Sequence, residues 1–186
     1  MLREAGATFT LEKVDLTQHL TATGADYYAV TPKGQVPLLE LDDGSRLTEG
    51  PVICQYIADG ASNTSLMPAA GSLARYRVME WQNYITAELH KSFSPLFSKQ
   101  YDAAAKALTS AALRKKFEWV DGKLQGSTFL TGNDFTAADA YLFTVGNWAK
   151  HVGLDTADLA NFQQFMGRVA ARPAVQEALK AEGLLR

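Results

Sequence analysis

The segment from Pro32 to Asp59 constrains the fold most, because two strands, a turn and a helix are all encoded in it. The runs Leu38–Leu41 and Arg46–Thr48 predict two short strands, since residues 42–44 between them, Asp-Asp-Gly, have the composition of a tight turn. The glycine of that turn accepts a positive φ without steric cost. We therefore expect a β-hairpin here.

A helix is predicted directly after the hairpin. Gly50-Pro51 has the composition of a helix cap and first turn, and apolar residues follow at the spacing of one buried helix face, at Val52, Ile53, Tyr56 and Ile57. The start of a helix presents free backbone N–H groups and a partial positive charge, which favour an anion, and Glu49 beside it can bind an ammonium group. We expect a site for a ligand with both charges, although an acid here is also typical of a first helical turn.

The residues before this segment predict less regular structure. Met1–Gly6 resembles the last turn of a helix with its terminating glycine, and Thr8–Asp15 alternates like a strand. Residues 17–28 predict a loop, with a short helix near Asp26–Val30. The Val36–Pro37 bond lies in a tight connection before a strand, one of the few settings in which a cis proline bond occurs.

Beyond residue 60 the pattern changes from mixed to helical. Residues 61–71 are rich in small and turn-forming residues and predict a linker, after which no strand is expected. We therefore divide the chain into an α/β unit at 1–60, the linker, and an all-α unit at 72–186.

Helical periodicity dominates the second unit. Ser72–Phe97 predicts one long amphipathic helix, and later helices are predicted around 113–124, 136–152 and 159–169, with a last one from Pro173. Residues 136–152 are apolar around nearly the whole circumference, so this helix is expected to be central. Thr136 and Asp139 have the spacing of a capping box that would satisfy free N–H groups at its buried start.

Composition excludes several function classes. The 186 residues carry 18 basic and 20 acidic side chains without a basic cluster, so neither nucleic acid nor a membrane surface is an expected partner. No apolar run approaches the roughly 20 residues of a membrane span, and we expect a cytoplasmic protein. One cysteine and three histidines make a metal site unexpected.

The order of these motifs resembles the cytosolic glutathione S-transferases, and most closely their bacterial beta-class members. The resemblance rests on motifs spread over the chain: Gln35-Val36-Pro37, Leu47-Thr48-Glu49-Gly50, Glu88-Leu89-His90-Lys91 and Phe135-Thr136-Ala137-Ala138-Asp139. It implies a thioredoxin-like N-terminal domain followed by an all-α C-terminal domain, glutathione as co-substrate and a homodimer.

The resemblance also implies roles for residues of the N-terminal domain. Val36, before a cis Pro37, would exchange backbone hydrogen bonds with the cysteinyl unit of glutathione, as neighbouring strands do. Glu49 would bind the γ-glutamyl ammonium group, and the N–H groups from Gly50 onward would bind its α-carboxylate. Many relatives have Ser where this chain has Gly50, so weaker binding is expected. Two further positions, Leu16 and His19, would line the glycyl end.

The helical domain is implied to complete the site. Asn83, Ala87, His90 and Lys91 share one face of an ideal α-helix, with Glu88 beside them. By resemblance, His90 and Lys91 support the chemistry near the thiol or the glycyl end. In the same way, Asn83 and Glu88 reach glutathione bound by the other subunit, and Trp148 lines the pocket for the electrophile.

Residue types alone support plainer interpretations of several of these positions. His90 and Lys91 are also typical of a solvated helix face, and Trp148 of a helix core. Cys54, within a predicted helix, is typical of a small buried hydrophobic residue and is not expected to be catalytic.

By the same resemblance, the first strand, the start of the first helix and the Cys, Ser or Tyr that activates the thiol are expected to precede Met1. Without that strand the neighbouring strands would have unpaired backbone groups, so we expect either that the natural protein is longer or that the N-terminal domain is incomplete and depends on its partner; we favour the first.

The expected reaction is attack of the glutathione thiolate on a small apolar electrophile, or thiol-disulfide exchange if the activating residue is Cys. The alternatives are a non-catalytic glutathione-binding or protein-interaction member of the same fold, and a helical dimerisation module.

Overall fold

The computed structural model describes residues 1–61 and 65–185. Within them the N-terminal part contains two separate two-stranded antiparallel sheets and two helices. Strands β1 (Val14–Asp15) and β2 (Leu20–Thr21) form the first sheet, and β3 (Leu38–Glu40) and β4 (Arg46–Thr48) form the second. Helix α1 spans Tyr27–Val30 and α2 spans Gly50–Gly60.

The predicted hairpin is confirmed, with Leu38 paired to Thr48 and Glu40 to Arg46. Gly44 has φ +82°, the conformation for which glycine is favoured in this turn. The predicted short helix is confirmed as α1, which is capped by the Asp26 carboxylate through the N–H of Tyr28 at 2.9 Å. The helix end predicted at Met1–Gly6 also forms, since the Ala7 N–H donates to the Leu2 carbonyl at 3.1 Å.

The strand predicted at Thr8–Asp15 is wrong for most of its length, because only Val14–Asp15 is extended and paired. A strand is stable when its backbone groups bond to a neighbour, and within the described part of the chain residues 8–13 have no such neighbour. The segment predicted as a loop contains β2, which the sequence analysis missed.

The C-terminal part is helical. A continuous helical run begins at Leu73 with Ser72 as its N-cap and consists of α3 (Leu73–Tyr84), a π-helical segment (Ile85–His90) and α4 (Lys91–Phe97). Helix α5 spans Ala103–Leu124 and α6 spans Ala137–Gly146, and a 3-10 turn lies at Ala149–His151. Helices α7 (Ala160–Ala170) and α8 (Pro173–Ala181) complete the described chain.

Helix α6 is central, as predicted, but it ends at Gly146 and not at Val152. Leu142 and Val145 are fully buried, and Gly146 lies so close to α7 that a Cβ there would be 2.9 Å from a ring atom of Phe162. The core around this helix is formed mainly by large apolar side chains of the neighbouring helices, including Leu89, Phe93, Phe117, Phe162 and Phe165.

The fully buried Asp139 stabilises the start of α6. Its carboxylate accepts three hydrogen bonds: from Leu130 N at 2.8 Å, from Thr136 N at 2.8 Å and from Thr136 Oγ1 at 2.9 Å. Burial raises the pKa of Asp139, and these three bonds act in the opposite direction. The next free N–H, that of Ala137, donates to the Leu66 carbonyl at 2.9 Å.

Polar contacts on α2 help to join the α/β part to the helical part. The Arg75 guanidinium binds both oxygens of Asp59, at 2.7 and 2.8 Å, and this pair lowers the pKa of Asp59. Gln55 Nε2 on α2 donates to Gln82 Oε1 on α3 at 2.9 Å. The predicted linker lies partly outside the described residues, and its Leu66 and Met67 are buried in the core.

Candidate functional site

The loop that ends at Pro37 packs against helix α1. The Tyr27 hydroxyl donates to the Gln35 carbonyl at 3.0 Å, and Gly34 has φ +59°. A Cβ at Gly34 would lie 2.5 Å from the Tyr28 ring, so only glycine permits this approach of loop and helix. The Val36–Pro37 bond is cis, and the side chain of Val36 is exposed. In the described part of the chain, the backbone of Val36 makes no hydrogen bond to another residue and so can bind an extended ligand.

Glu49 and Gly50 lie beside this loop, where β4 meets α2. Glu49 has φ +70°, an unusual conformation for a residue with a side chain, and its carboxylate is exposed. A Cβ at Gly50 would be 3.7 Å from the ring of Pro37, so the start of α2 and the loop face each other. The structure thus brings Val36, Pro37, Glu49 and Gly50 together.

Glu49 forms an ion pair with Lys33, which the sequence analysis missed. Lys33 Nζ lies 2.6 Å from Glu49 Oε1 and 3.2 Å from Thr48 Oγ1, and this hydrogen bond and charge lower the pKa of Glu49. The pair demonstrates that Glu49 can bind an ammonium group in this geometry. A ligand ammonium group would have to displace Lys33 or share the carboxylate with it.

His19 lies next to the same loop, and Leu16 is exposed nearby in the chain. The His19 ring packs on Tyr28 with centroids 4.4 Å apart, and its Nε2 lies 3.1 Å from the Tyr28 hydroxyl. Its Nδ1 is buried without a hydrogen-bond partner in the described residues. The contact with Tyr28 fixes His19 at the loop.

The π-helical segment separates the residues that we expected on one helix face. It is a wider turn, with i to i+5 bonding, so the α-helical spacing assumed for Asn83, Ala87, His90 and Lys91 is wrong. Asn83, Ala87 and Lys91 are exposed. Glu88 faces α5, where Lys116 Nζ lies 2.8 Å from its carboxylate.

His90 turns instead toward α6 and the residues after it. Its Nδ1 lies 2.8 Å from the hydroxyl oxygen of Tyr141, and its ring contacts Trp148 edge-on with centroids 4.6 Å apart. Burial, followed by the charge of Lys91, lowers the pKa of His90, so the ring is neutral near pH 7. A neutral imidazole can accept a proton, and a thiol is a suitable donor for it.

Tyr141, the partner of His90, is a further polar residue here that sequence reasoning missed. Burial raises its pKa, and the Glu49 carboxylate is close enough to contribute to that rise. The signal available in the sequence was a tyrosine hydroxyl on a mostly apolar helix, since a buried tyrosine hydroxyl usually has a partner.

Trp148 also lines an open cavity of about 970 Å³. Most of its lining is apolar, and it includes Phe97, Phe143, Trp148, Met166, Val175 and Leu179. Trp148 also contacts Phe93 and Phe97 edge-on, so it belongs both to the core and to the cavity wall.

The described ranges do not support a metal site or a membrane-spanning helix. No cluster of three or more His, Cys, Asp or Glu side chains there could bind a metal ion. In the same residues, no helix has the length and apolarity needed to cross a bilayer. Cys54 is half-buried, and burial raises the pKa of its thiol, so it is a poor nucleophile.

Comparison with known proteins identifies the family. Residues 1–59 match the glutathione S-transferase N-terminal domain, and residues 84–173 match the glutathione S-transferase C-terminal domain. The glutathione S-transferase GstA of Escherichia coli O157:H7 is 49% identical over 183 residues, which cover 98% of this chain and 91% of that protein. The chain belongs to the glutathione S-transferase family.

Solved structures of bacterial glutathione S-transferases agree with this assignment. The beta-class enzyme of Sphingomonas chungbukensis has a TM-score of 0.95 and 42% identity, over 99% of this chain and 92% of that one. A sphingomonad glutathione S-transferase in complex with glutathione has a TM-score of 0.94 and 43% identity, over 98% and 91%. The family fold, a small thioredoxin-like α/β domain followed by a helical domain, is therefore the fold of this chain, and glutathione is the co-substrate of the family.

Proposed function

We propose that this glutathione S-transferase joins the thiolate of glutathione to small, mostly apolar electrophiles. The observation that supports this most is the adjacency of the Val36 backbone, the Glu49 carboxylate that binds the Lys33 ammonium group, and the N–H of Gly50; within the described residues, Val36 and the Gly50 N–H make no backbone hydrogen bond. Glutathione is an extended peptide with an ammonium group and a carboxylate at one end. These three features match it group by group.

The chemical task of the site is to keep the thiol ionised. A thiol with a pKa of about 8.5 is mostly protonated at pH 7, and lowering that pKa to 7 requires about 2 kcal/mol of preferential stabilisation of the thiolate. We propose His90 and Lys91 as supporting groups for this, His90 as a proton acceptor and Lys91 as a nearby positive charge. Thiol-disulfide exchange would need the same thiolate.

The other residues predicted for the site are assigned to positions around these groups. Leu16 and His19 are proposed at the glycyl end, and Trp148 at the wall of the apolar cavity where the electrophile would bind. We also propose a cytoplasmic homodimer. Asn83, Ala87 and Glu88 would lie on the outer face of the long helical run, and this face would contact the partner subunit. The exposed Trp119, which packs on Tyr84 there, supports a partner surface at this face.

Binding and turnover are tested separately. The protein should be retained on immobilised glutathione and should conjugate a chloronitrobenzene substrate. Replacing Glu49 by Ala should abolish retention, whereas Glu40→Ala, which removes an exposed acid of the hairpin that is paired to Arg46, should not.

The three functional classes give different results in these assays. Retention without turnover would favour a non-catalytic glutathione-binding member. Loss of retention in a dimer that is intact by light scattering would favour a dimerisation module.

A further inference from the structure

Lys116 on α5 binds the backbone of the π-helical segment. Its Nζ donates to the Glu88 carbonyl oxygen and to Ser92 Oγ, each at 3.0 Å. The same ammonium group lies 2.8 Å from Glu88 Oε2, and the Ser92 hydroxyl donates to the Glu88 carbonyl at 2.6 Å. One lysine of a neighbouring helix therefore holds the long helical run at two points, Glu88 and Ser92.

His90 lies midway between these two points. Glu88 precedes it by two residues and Ser92 follows it by two, so these contacts restrain the backbone on both sides of His90. The ring of His90 contacts other parts of the fold, Tyr141 on α6 and Trp148 after it. The backbone of this residue is thus restrained from α5, while its ring packs against α6 and the residues that follow.

The restrained segment has a geometry that needs support. π-Helical bonding is rare and occurs mostly as single turns, frequently at functional sites. An α-helical turn in place of Ile85–His90 would rotate the residues after it by about 100° relative to those before it. Because His90 is the last residue of this turn, the direction of its ring depends on the turn being kept wide.

We propose that Lys116 is a positioning residue, which keeps this turn wide and directs the His90 ring toward Tyr141. The chemical use of the arrangement rests on the proposed function, in which His90 accepts the proton of the glutathione thiol. Lys116 acts through His90 and does not itself contact the reacting atoms.

The activity test uses Lys116→Met, which keeps an unbranched apolar side chain and removes the ammonium group. In this variant kcat/KM for the electrophile should fall about tenfold, because a misdirected His90 no longer reaches the thiol. The KM for glutathione should change less than about twofold. In a His90→Gln background the same substitution should cost less than about twofold, since the residue that it positions is gone.

The position of the ring can be followed without turnover by proton NMR titration of the three histidines, in which His90→Gln assigns the signal. Burial, followed by the charge of Lys91, lowers the pKa of His90. In Lys116→Met the ring should become more exposed, so its pKa should rise toward the ordinary value of about 6.5.

Two further variants complete the test. Ser92→Ala removes one of the hydrogen-bond acceptors of Lys116 without changing any charge, so it separates the position of the ring from the loss of a nearby cation. It should also raise the His90 pKa and lower kcat/KM, by about threefold. Lys115→Met removes the neighbouring exposed lysine of α5 and should change neither measurement.

An unchanged His90 titration in Ser92→Ala and Lys116→Met would overturn the proposal. An equal loss of kcat/KM in the wild-type and His90→Gln backgrounds would also overturn it, because the effect would then be a general one on the fold. If Lys116→Met does not fold, Ser92→Ala decides by the same titration. If the wild-type protein conjugates no substrate, the proposed function fails, while the titration still decides whether Lys116 positions His90.

Discussion

Replacement of Asp139 by Asn should destabilise the protein strongly, although it changes neither the size of the side chain nor any residue of the proposed site. The carboxylate is fully buried and accepts three hydrogen bonds, two of them on the same oxygen. An amide has only one oxygen. If that oxygen keeps both bonds from Thr136, the NH2 group faces the N–H of Leu130, and two donors then meet in the core.

The magnitude follows from these contacts. A buried donor left unsatisfied costs about 1–3 kcal/mol, and the two remaining bonds lose the strength that comes from a charged acceptor. We expect a loss of about 2–4 kcal/mol in the free energy of unfolding, which corresponds to about 4–16 °C in Tm for a chain of this size.

Urea unfolding followed by circular dichroism measures this loss, at several protein concentrations so that subunit association is separated from folding. Thr136→Ser, which keeps the hydroxyl donor and the backbone N–H, is the matched control and should lose less than about 1 kcal/mol. A loss below about 0.5 kcal/mol for Asp139→Asn would refute the reasoning that these three bonds hold the start of α6.

Three further outcomes are expected. Glu49→Gln should weaken glutathione binding roughly 10- to 100-fold by calorimetry, because a charged acceptor is lost. Lys33→Met, which frees the same carboxylate, should not weaken binding, and a comparable loss in that variant would contradict the assignment. The His90 pKa is lowered in the fold, so below about pH 6.5 the unfolded chain binds more protons than the folded one. The free energy of unfolding should therefore fall as the pH drops from 6.5 toward the folded pKa, by at most about 1.4 kcal/mol per pH unit. His90→Gln should remove that part of the pH dependence in urea titrations at pH 5.5 and 7.5, and an unchanged slope would disprove it. Gly34→Ala should destabilise by about 2–4 kcal/mol in the same assay, since its Cβ would overlap Tyr28 at a positive φ; wild-type stability would count against this packing.

The parts of the fold that were predicted correctly are those encoded locally. The second half of helix α5 was visible because Leu113, Phe117 and Val120 recur at helical spacing, whereas its start at Ala103 was missed; the hairpin was visible because its turn residues specify a positive φ. The end of α6 was not visible, since its apolar pattern continues past Gly146. Hydrophobic periodicity indicates which face of a helix is buried but not where the helix ends.

The candidate site divides in the same way. Glu49 and Gly50 were found because the acid precedes a helix start in the sequence itself. The ion pair of Glu49 with Lys33 and the contact of His90 with Tyr141 join residues that are distant along the chain or lie on different helices. No local pattern records such contacts, so they become visible only when the elements are packed.

The π-helical segment Ile85–His90 has a practical consequence for mutagenesis of the long helical run. An i to i+5 turn takes up one residue more than an α-helical turn, and one residue corresponds to about 100° of rotation. A helical wheel drawn from Leu73 therefore misplaces every position after His90 by about that angle. The run has to be scanned on two wheels, and deletion of one residue such as Ala87 would convert the wider turn to a regular α-helical turn and leave Phe93 facing the core.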